Sequence, residues 1–152
     1  MKTLIVYASV HHQNTEKVAK AMAEELGADL VSIGQAQPET LTAYDLIGFG
    51  SGIYGGKIHK TLRQFVEGLP TVTEQQAFIF STRGGKEGQG HAALKEMLVN
   101  RGFSITGEFS CKGWDTVGPL KLFGGINKGR PNADDLEEAR VFARGLKEKL
   151  AD

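Results

Sequence analysis

Leu4-Ile5-Val6-Tyr7-Ala8-Ser9-Val10-His11-His12-Gln13-Asn14-Thr15-Glu16 is the stretch that decides the fold. A short apolar run, too brief for a core helix, stops at a polar loop. The loop opens a helix whose apolar positions are Val18, Met22 and Leu26 and whose stop signal is Gly27. A strand that empties into a helix N-terminus leaves backbone N–H groups without partners, under the positive end of the helix dipole. Such a place binds anions. Ser9, Asn14 and Thr15 add side-chain donors around the same point, so the loop reads as a phosphate seat.

Outward from that unit, apolar strand-like runs recur at Thr3–Ser9, Asp29–Ile33, Leu46–Gly52, Ala77–Thr82 and Ser104–Cys111. Helical patterns separate most of them. One holds Ile58, Leu62, Phe65, Val66 and Leu69 on a face and ends at Pro70; another holds Leu94, Met97 and Leu98 and ends at Gly102. The last follows Arg130-Pro131-Asn132, with Asn132 and Asp135 as a capping pair and Leu136, Ala139, Ala143, Leu146 and Leu150 on its buried face. Between Gly34 and Asp45 there is room only for a short helix, around Pro38–Ala43. Near-continuous apolar strands alternating with helices predict an α/β fold, a parallel sheet covered on both faces. Five strands fit the doubly wound order 2-1-3-4-5, in which ligands sit beyond the carboxyl ends of the first and third.

With 152 residues, the chain is expected to form a single domain over 1–152. Lys and Arg total 18, Asp and Glu 18, and this balance disfavours nucleic acid or an anionic membrane as the main partner. No apolar run is long enough to span a bilayer. One cysteine, Cys111, allows no internal disulfide and suits a reducing cytoplasm. Met1 to Val10 is too short for a signal peptide and lacks a small-residue cleavage site, so it reads as a strand. Lys112–Pro131 is a long aperiodic segment with five glycines, the kind of loop that is usually functional or mobile.

Two more strands end in glycine-rich loops. One runs Phe49-Gly50-Ser51-Gly52-Ile53-Tyr54-Gly55-Gly56, where glycines let the backbone approach a flat ligand while the Tyr54 ring lies against it. The other runs Phe80-Ser81-Thr82-Arg83-Gly84-Gly85-Lys86. Three loops thus converge on the switch point of the sheet. They suit an elongated ligand with a phosphate at one end and a planar heteroaromatic ring at the other.

These motifs resemble the flavodoxin-like family of FMN proteins over nearly the whole chain. Ser9 to Thr15 resembles the family's phosphate loop, whose pattern is Ser/Thr-x-Thr-Gly-x-Thr. Here the loop is one residue longer and His11-His12 replaces Thr-Gly. Gly50 to Gly55 resembles the second flavin loop, and Ser81 to Gly85 sits where the third wraps the pyrimidine end. The resemblance implies FMN as cofactor, held by Ser9, His11, His12, Gln13, Asn14 and Thr15, by Ser51, Gly52, Ile53, Tyr54 and Gly55, and by Thr82, Arg83, Gly84 and Gly85. It implies electron transfer to a redox partner protein or a small acceptor. The third loop carries Arg83 and no aromatic ring, so the second stacking ring of many flavodoxins is absent there. Carrier flavodoxins are very acidic; a neutral chain with Arg83 near the ring would oppose a reduced, anionic flavin less.

Other readings stay open at this point. An FMN-dependent oxidoreductase acting on a quinone or a tetrapyrrole precursor is one. The run Tyr54, Gly55, His59, Lys60, with one extra residue, resembles the protoporphyrinogen oxidase branch of the family. A non-redox receiver domain of the same topology needs an aspartate ending the third strand, where this chain has Gly50-Ser51-Gly52. Lys57 and His59 are read as the start of a helix facing solvent. Trp114 is read as packing under the long loop, covering the flavin, or joining a second copy in a homodimer.

Overall fold

The computed structural model describes residues 1–9, 13–88, 90–114 and 124–151. In chain order the elements are β1 (Thr3–Ala8), α1 (Asn14–Leu26), β2 (Asp29–Ser32), a 3-10 turn (Pro38–Ala43), β3 (Leu46–Tyr54), β4 (Lys57–Ile58), α2 (Lys60–Glu67), β5 (Gln75–Arg83), α3 (His91–Asn100), β6 (Phe103–Lys112) and α4 (Ala133–Lys149). The parallel sheet has the order β2-β1-β3-β5-β6, with β4 paired antiparallel to β3. Apart from β4, this is the expected doubly wound order.

Alternation along each strand divides the core into two layers. Leu4, Val6, Ile47, Phe49, Ala77 and Ile79 meet Leu62, Val66, Leu94 and Leu98 of α2 and α3. Ile5, Leu46, Phe78 and Phe80 meet Val18 and Met22 of α1 and Ala139, Ala143 and Leu146 of α4. Each fully buried branched or aromatic side chain contributes about 1.5–3 kcal/mol. Two glycines are required by this packing. Gly48 and Gly50 lie in register with Phe78 and Phe80, and a Cβ on either would fall within 2.3 Å and 2.0 Å of the facing ring. Gly50 therefore serves the core. The expectation that it opens the backbone to a flat ligand is corrected: the Phe80 ring already fills the space.

The second correction concerns Lys57 and Ile58, expected at a helix start and on a helical face; His59 does stand at the helix start, as expected. Instead Lys57 and Ile58 pair back onto Tyr54 and Ile53 as a two-residue strand. The hairpin turn is Gly55-Gly56, both with positive φ, at 60° and 79°. Such a turn needs residues without a Cβ. Helix α2 then starts one residue after His59, whose Nδ1 accepts from the Thr61 backbone N–H as its cap. At α4 the expected capping pair forms: Asn132 Oδ1 accepts from Asp135 N at 2.9 Å, and Asp135 Oδ2 accepts from Asn132 N at 2.8 Å.

Candidate functional site

At the carboxyl end of the sheet, β1, β3, β5 and β6 release the chain around one cleft. It encloses about 310 Å³ open to solvent and is lined by residues from four loops, among them Asn14, Thr15, Tyr54, Arg83 and Trp114. His11 and His12, expected at this place, lie outside the described residues.

The α1 end of the cleft presents a helix N-terminus. Gln13 caps the helix in the left-handed region, at φ 56° and ψ 30°, without a side-chain cap bond. A non-glycine residue pays roughly 1–2 kcal/mol for that conformation, and backbone strain of this kind gathers at functional sites. Ser9 Oγ accepts from the Glu16 N–H at 3.2 Å, which leaves its own hydroxyl hydrogen for another acceptor. Thr15 Oγ1 lies 2.9 Å from Thr82 Oγ1, in a buried bond that ties the first loop to the end of β5. Asn14 is 8% exposed; its Nδ2 donates to the Trp114 carbonyl at 2.8 Å, and its Oδ1 is buried without a partner among the described residues. A buried acceptor left unpaired is costly, and Asn14 is one of the residues that line the cleft.

The walls come from β3 and from the segment after β6. A Cβ on Gly52 would lie 2.5 Å from the Tyr54 hydroxyl, so the tyrosine ring folds over Gly52. Glycine at this position is what lets the ring lie flat along the strand. Ser51 is placed differently from the expectation. It is 1% exposed, donates to Gly52 O at 2.6 Å and accepts from His59 N at 2.8 Å. Its hydroxyl therefore pins the turn into α2. Ile53 and Gly52 line the cleft; Gly55 and Gly85 lie on exposed turns beside it.

Arg83 lines the cleft, and its guanidinium is held in place. Nε donates to Ser110 Oγ at 3.1 Å and one terminal nitrogen donates to Gly85 O at 2.8 Å. Behind it runs a network that sequence reasoning missed. Ser110 Oγ is 3.2 Å from Ser81 Oγ, Ser81 Oγ is 2.6 Å from His91 Nε2, and His91 Nδ1 is 3.1 Å from Glu108 Oε1. The available signal was a serine near the carboxyl end of each of two neighbouring strands, Ser81 and Ser110, which the register pairs, since buried hydroxyls demand partners.

Trp114, for which the sequence left packing, flavin covering and dimer contact open, lines the cleft. Tyr54 and Trp114 give the cleft two rings, the second from beyond β6 and not from the third loop. Gly113 N donates to Arg83 O, Trp114 N to Arg130 O and Asn127 Nδ2 to Gly84 O, at 2.8, 2.8 and 3.2 Å. Both ends of the long aperiodic segment are thereby stitched to the site. Arg130 in turn pairs with Asp135. The guanidinium beside Asp135 holds its carboxyl below the usual carboxylate range, against the opposing effect of burial. Burial first, and the Asp135 carboxylate second, push the Cys111 thiol up to about 12. A thiol so placed is a core side chain and not a reactive group. Among the described residues there is no cluster of metal-ligating side chains and no helix long and apolar enough to cross a membrane.

A doubly wound sheet with its cleft at the switch point, a helix N-terminus at one end of the cleft and a ring at the end of the third strand make this the place where such α/β folds take a ligand. Comparison with known proteins sharpens that class. The flavodoxin domain model matches residues 4–105. An uncharacterized protein of Methanocaldococcus jannaschii is 49% identical over 148 residues, covering 96% of this chain and 98% of that one. Among solved structures, flavodoxin 2 from Bacillus cereus aligns with a TM-score of 0.77 at 23% identity, over 99% of this chain and 100% of its own. A flavodoxin from the domain Archaea aligns with a TM-score of 0.75 at 18% identity, over the whole of both chains. The chain belongs to the flavodoxin family.

Proposed function

We propose that the cleft binds FMN and that the protein transfers electrons through it. The observation that carries this reading is Asn14. It is a buried amide at the first turn of a helix and lines the cleft, with one end bonded to Trp114 O and an acceptor that has no partner among the described residues. The residues present fit the cofactor. The first amides of α1, with the Ser9 and Thr15 hydroxyls, suit a phosphate dianion. Tyr54 and Trp114 offer faces to a planar ring. Backbone groups of Thr82 to Gly85 suit the polar edge of a pyrimidine, and the Arg83 charge lies on the same side.

When bound, the flavin supplies one- and two-electron redox chemistry, and the protein supplies position and electrostatics. Arg83, fixed by Ser110 and Gly85, keeps a positive charge beside the cleft. It stabilises negative charge developing on a bound ring more than an acidic wall would. Gly55, at φ 60°, leaves its peptide free to reorient on an exposed turn.

The test is a fluorescence-quenching titration with FMN and with riboflavin. FMN is expected to bind about a hundredfold more tightly, because only it fills the phosphate seat. Equal affinity for both, or no binding of either, overturns the proposal. Rapid oxidation of a reduced nicotinamide by the loaded protein would make it an oxidoreductase and not a carrier.

A further inference from the structure

From a groove beside the cleft and the distribution of charge around it, we infer that the protein docks an acidic electron-transfer protein between α2 and α3. The inference rests on the flavin reading of the neighbouring cleft. The groove encloses about 740 Å³ and opens on Ile58, Ala92, Ala93 and Met97, with Lys57 and Arg63 along its sides. It begins at Gly56, two residues past the Tyr54 ring, so anything seated there lies against the β3–β4 hairpin of the cleft.

None of the described lining residues is acidic. The nearest acids in sequence are the exposed Glu87 and Glu96, and Arg63 is only 3.9 Å from Glu67 one turn along its own helix, in an exposed and therefore weak pair. Around this end of the sheet stand Lys57, Lys60, Lys86, Lys112 and Lys128, all exposed, together with Arg83. Against them, among the described residues, stand Glu16, Glu87, Glu108, Asp134 and Asp135, the last paired with Arg130. At the opposite end, where the strands begin, Asp29, Glu39, Asp45 and Glu74 are exposed, as are Lys2, Lys147 and Lys149. The overall charge of zero therefore hides a local excess of cations along the groove and the hairpin beside the cleft.

Such a field steers a negatively charged partner to this end and orients it on arrival. The groove supplies the short-range part. Ala92 and Ala93 keep its floor low, and the stem of Met97 adapts to an inserted apolar side chain. The cations extend well past the groove, from Lys57 across to Lys128, which is the footprint of a protein surface and wider than a small anion needs. The zero net charge disfavours a nucleic acid.

The experiment is an NMR titration of the 15N-labelled chain with FMN added, using a small acidic two-iron ferredoxin as probe and a small basic cytochrome as counter-probe. Expected are ferredoxin-induced amide shifts confined to residues 56–63 and 90–97, abolished at 0.5 M salt. Lys57→Glu with Arg63→Glu should weaken binding at least tenfold, while Lys147→Glu, on the exposed end of α4, should leave it unchanged. Shifts produced by the cytochrome and not by the ferredoxin, shifts on another face, or indifference to the double reversal would overturn the inference. So would saturable binding of anthraquinone-2-sulfonate at these residues without ferredoxin binding, which would make the groove a small-molecule site. Ferredoxin binding by a chain that fails to retain flavin would leave the docking face standing and refute the flavin reading. Flavin retention without ferredoxin binding would do the reverse.

Discussion

Gly113→Ala tests how the cleft is held together. Gly113 is buried, and a methyl group there would lie 2.7 Å from Asn14 Nδ2, 3.0 Å from its Cγ and 3.1 Å from its Cβ. Ordinary contact begins near 3.4 Å, so the amide must retreat by about 0.7 Å. Its bond to Trp114 O, now 2.8 Å, then stretches to the edge of hydrogen-bonding distance. Losing that bond costs about 0.5–1.5 kcal/mol, and relieving the overlap in a packed site costs about 1–3 kcal/mol more. For a domain of this size each kcal/mol lowers Tm by about 2–4 °C, so a fall of roughly 5–15 °C is expected. Thermal unfolding followed by circular dichroism on the flavin-free protein reads this directly. The double variant Asn14→Ala/Gly113→Ala separates the causes. With the amide gone only the 3.1 Å approach to the Cβ remains, so Gly113→Ala should cost much less in the Asn14→Ala background than in wild type. A Tm within 1 °C of wild type for Gly113→Ala, or additive costs in the double variant, would refute the steric argument and with it the coupling of the first loop to Trp114.

Tyr54→Ala should weaken FMN by about 1–3 kcal/mol, on the scale of a base stacked on an aromatic ring; an unchanged dissociation constant in the quenching titration would remove Tyr54 from the site. Asp135→Asn should flatten the acid limb of stability. The wild-type carboxyl titrates below its ordinary value when folded, so its stabilisation is complete above about pH 4 and is lost as pH falls through the unfolded and then the folded pKa. Denaturant midpoints measured from pH 6 down to pH 2 check this, and parallel curves for the two proteins would count against it. Cys111, with its thiol pushed up to about 12 and its side chain buried, should react with Ellman's reagent at pH 8 only as fast as the protein unfolds. Prompt reaction in the native state would contradict the burial.

Much of the site was legible because it depends on local chemistry. A strand-to-helix junction exposes the first amides of a helix, and Ser9, Asn14 and Thr15 mark the one that borders this cleft. Glycine doublets such as Gly55-Gly56 mark a turn, although the sequence did not reveal that this turn is a hairpin pairing Lys57 and Ile58 back onto β3. The glycines of β3 were harder to interpret. Gly48 and Gly50 face Phe rings across one strand pair, while Gly52 faces its own neighbour's ring two residues on. The same residue type answers to different partners, and only register assigns them. Ser51 illustrates the same limit, since its hydroxyl is turned inward by a bond to His59 N that joins two elements.

What the sequence determined alone is the layered α/β architecture, the strand order and the end of the sheet that carries the site. These follow from periodicity, caps and turn residues, which act over a few positions. What the tertiary structure decided is which distant groups meet: Trp114 with Asn14, Arg83 with Ser110, and His91 with Ser81 and Glu108. Those contacts join residues ten to a hundred positions apart. They exist because two-residue alternation in the strands and the crossover connections bring particular faces together, and no local preference encodes them.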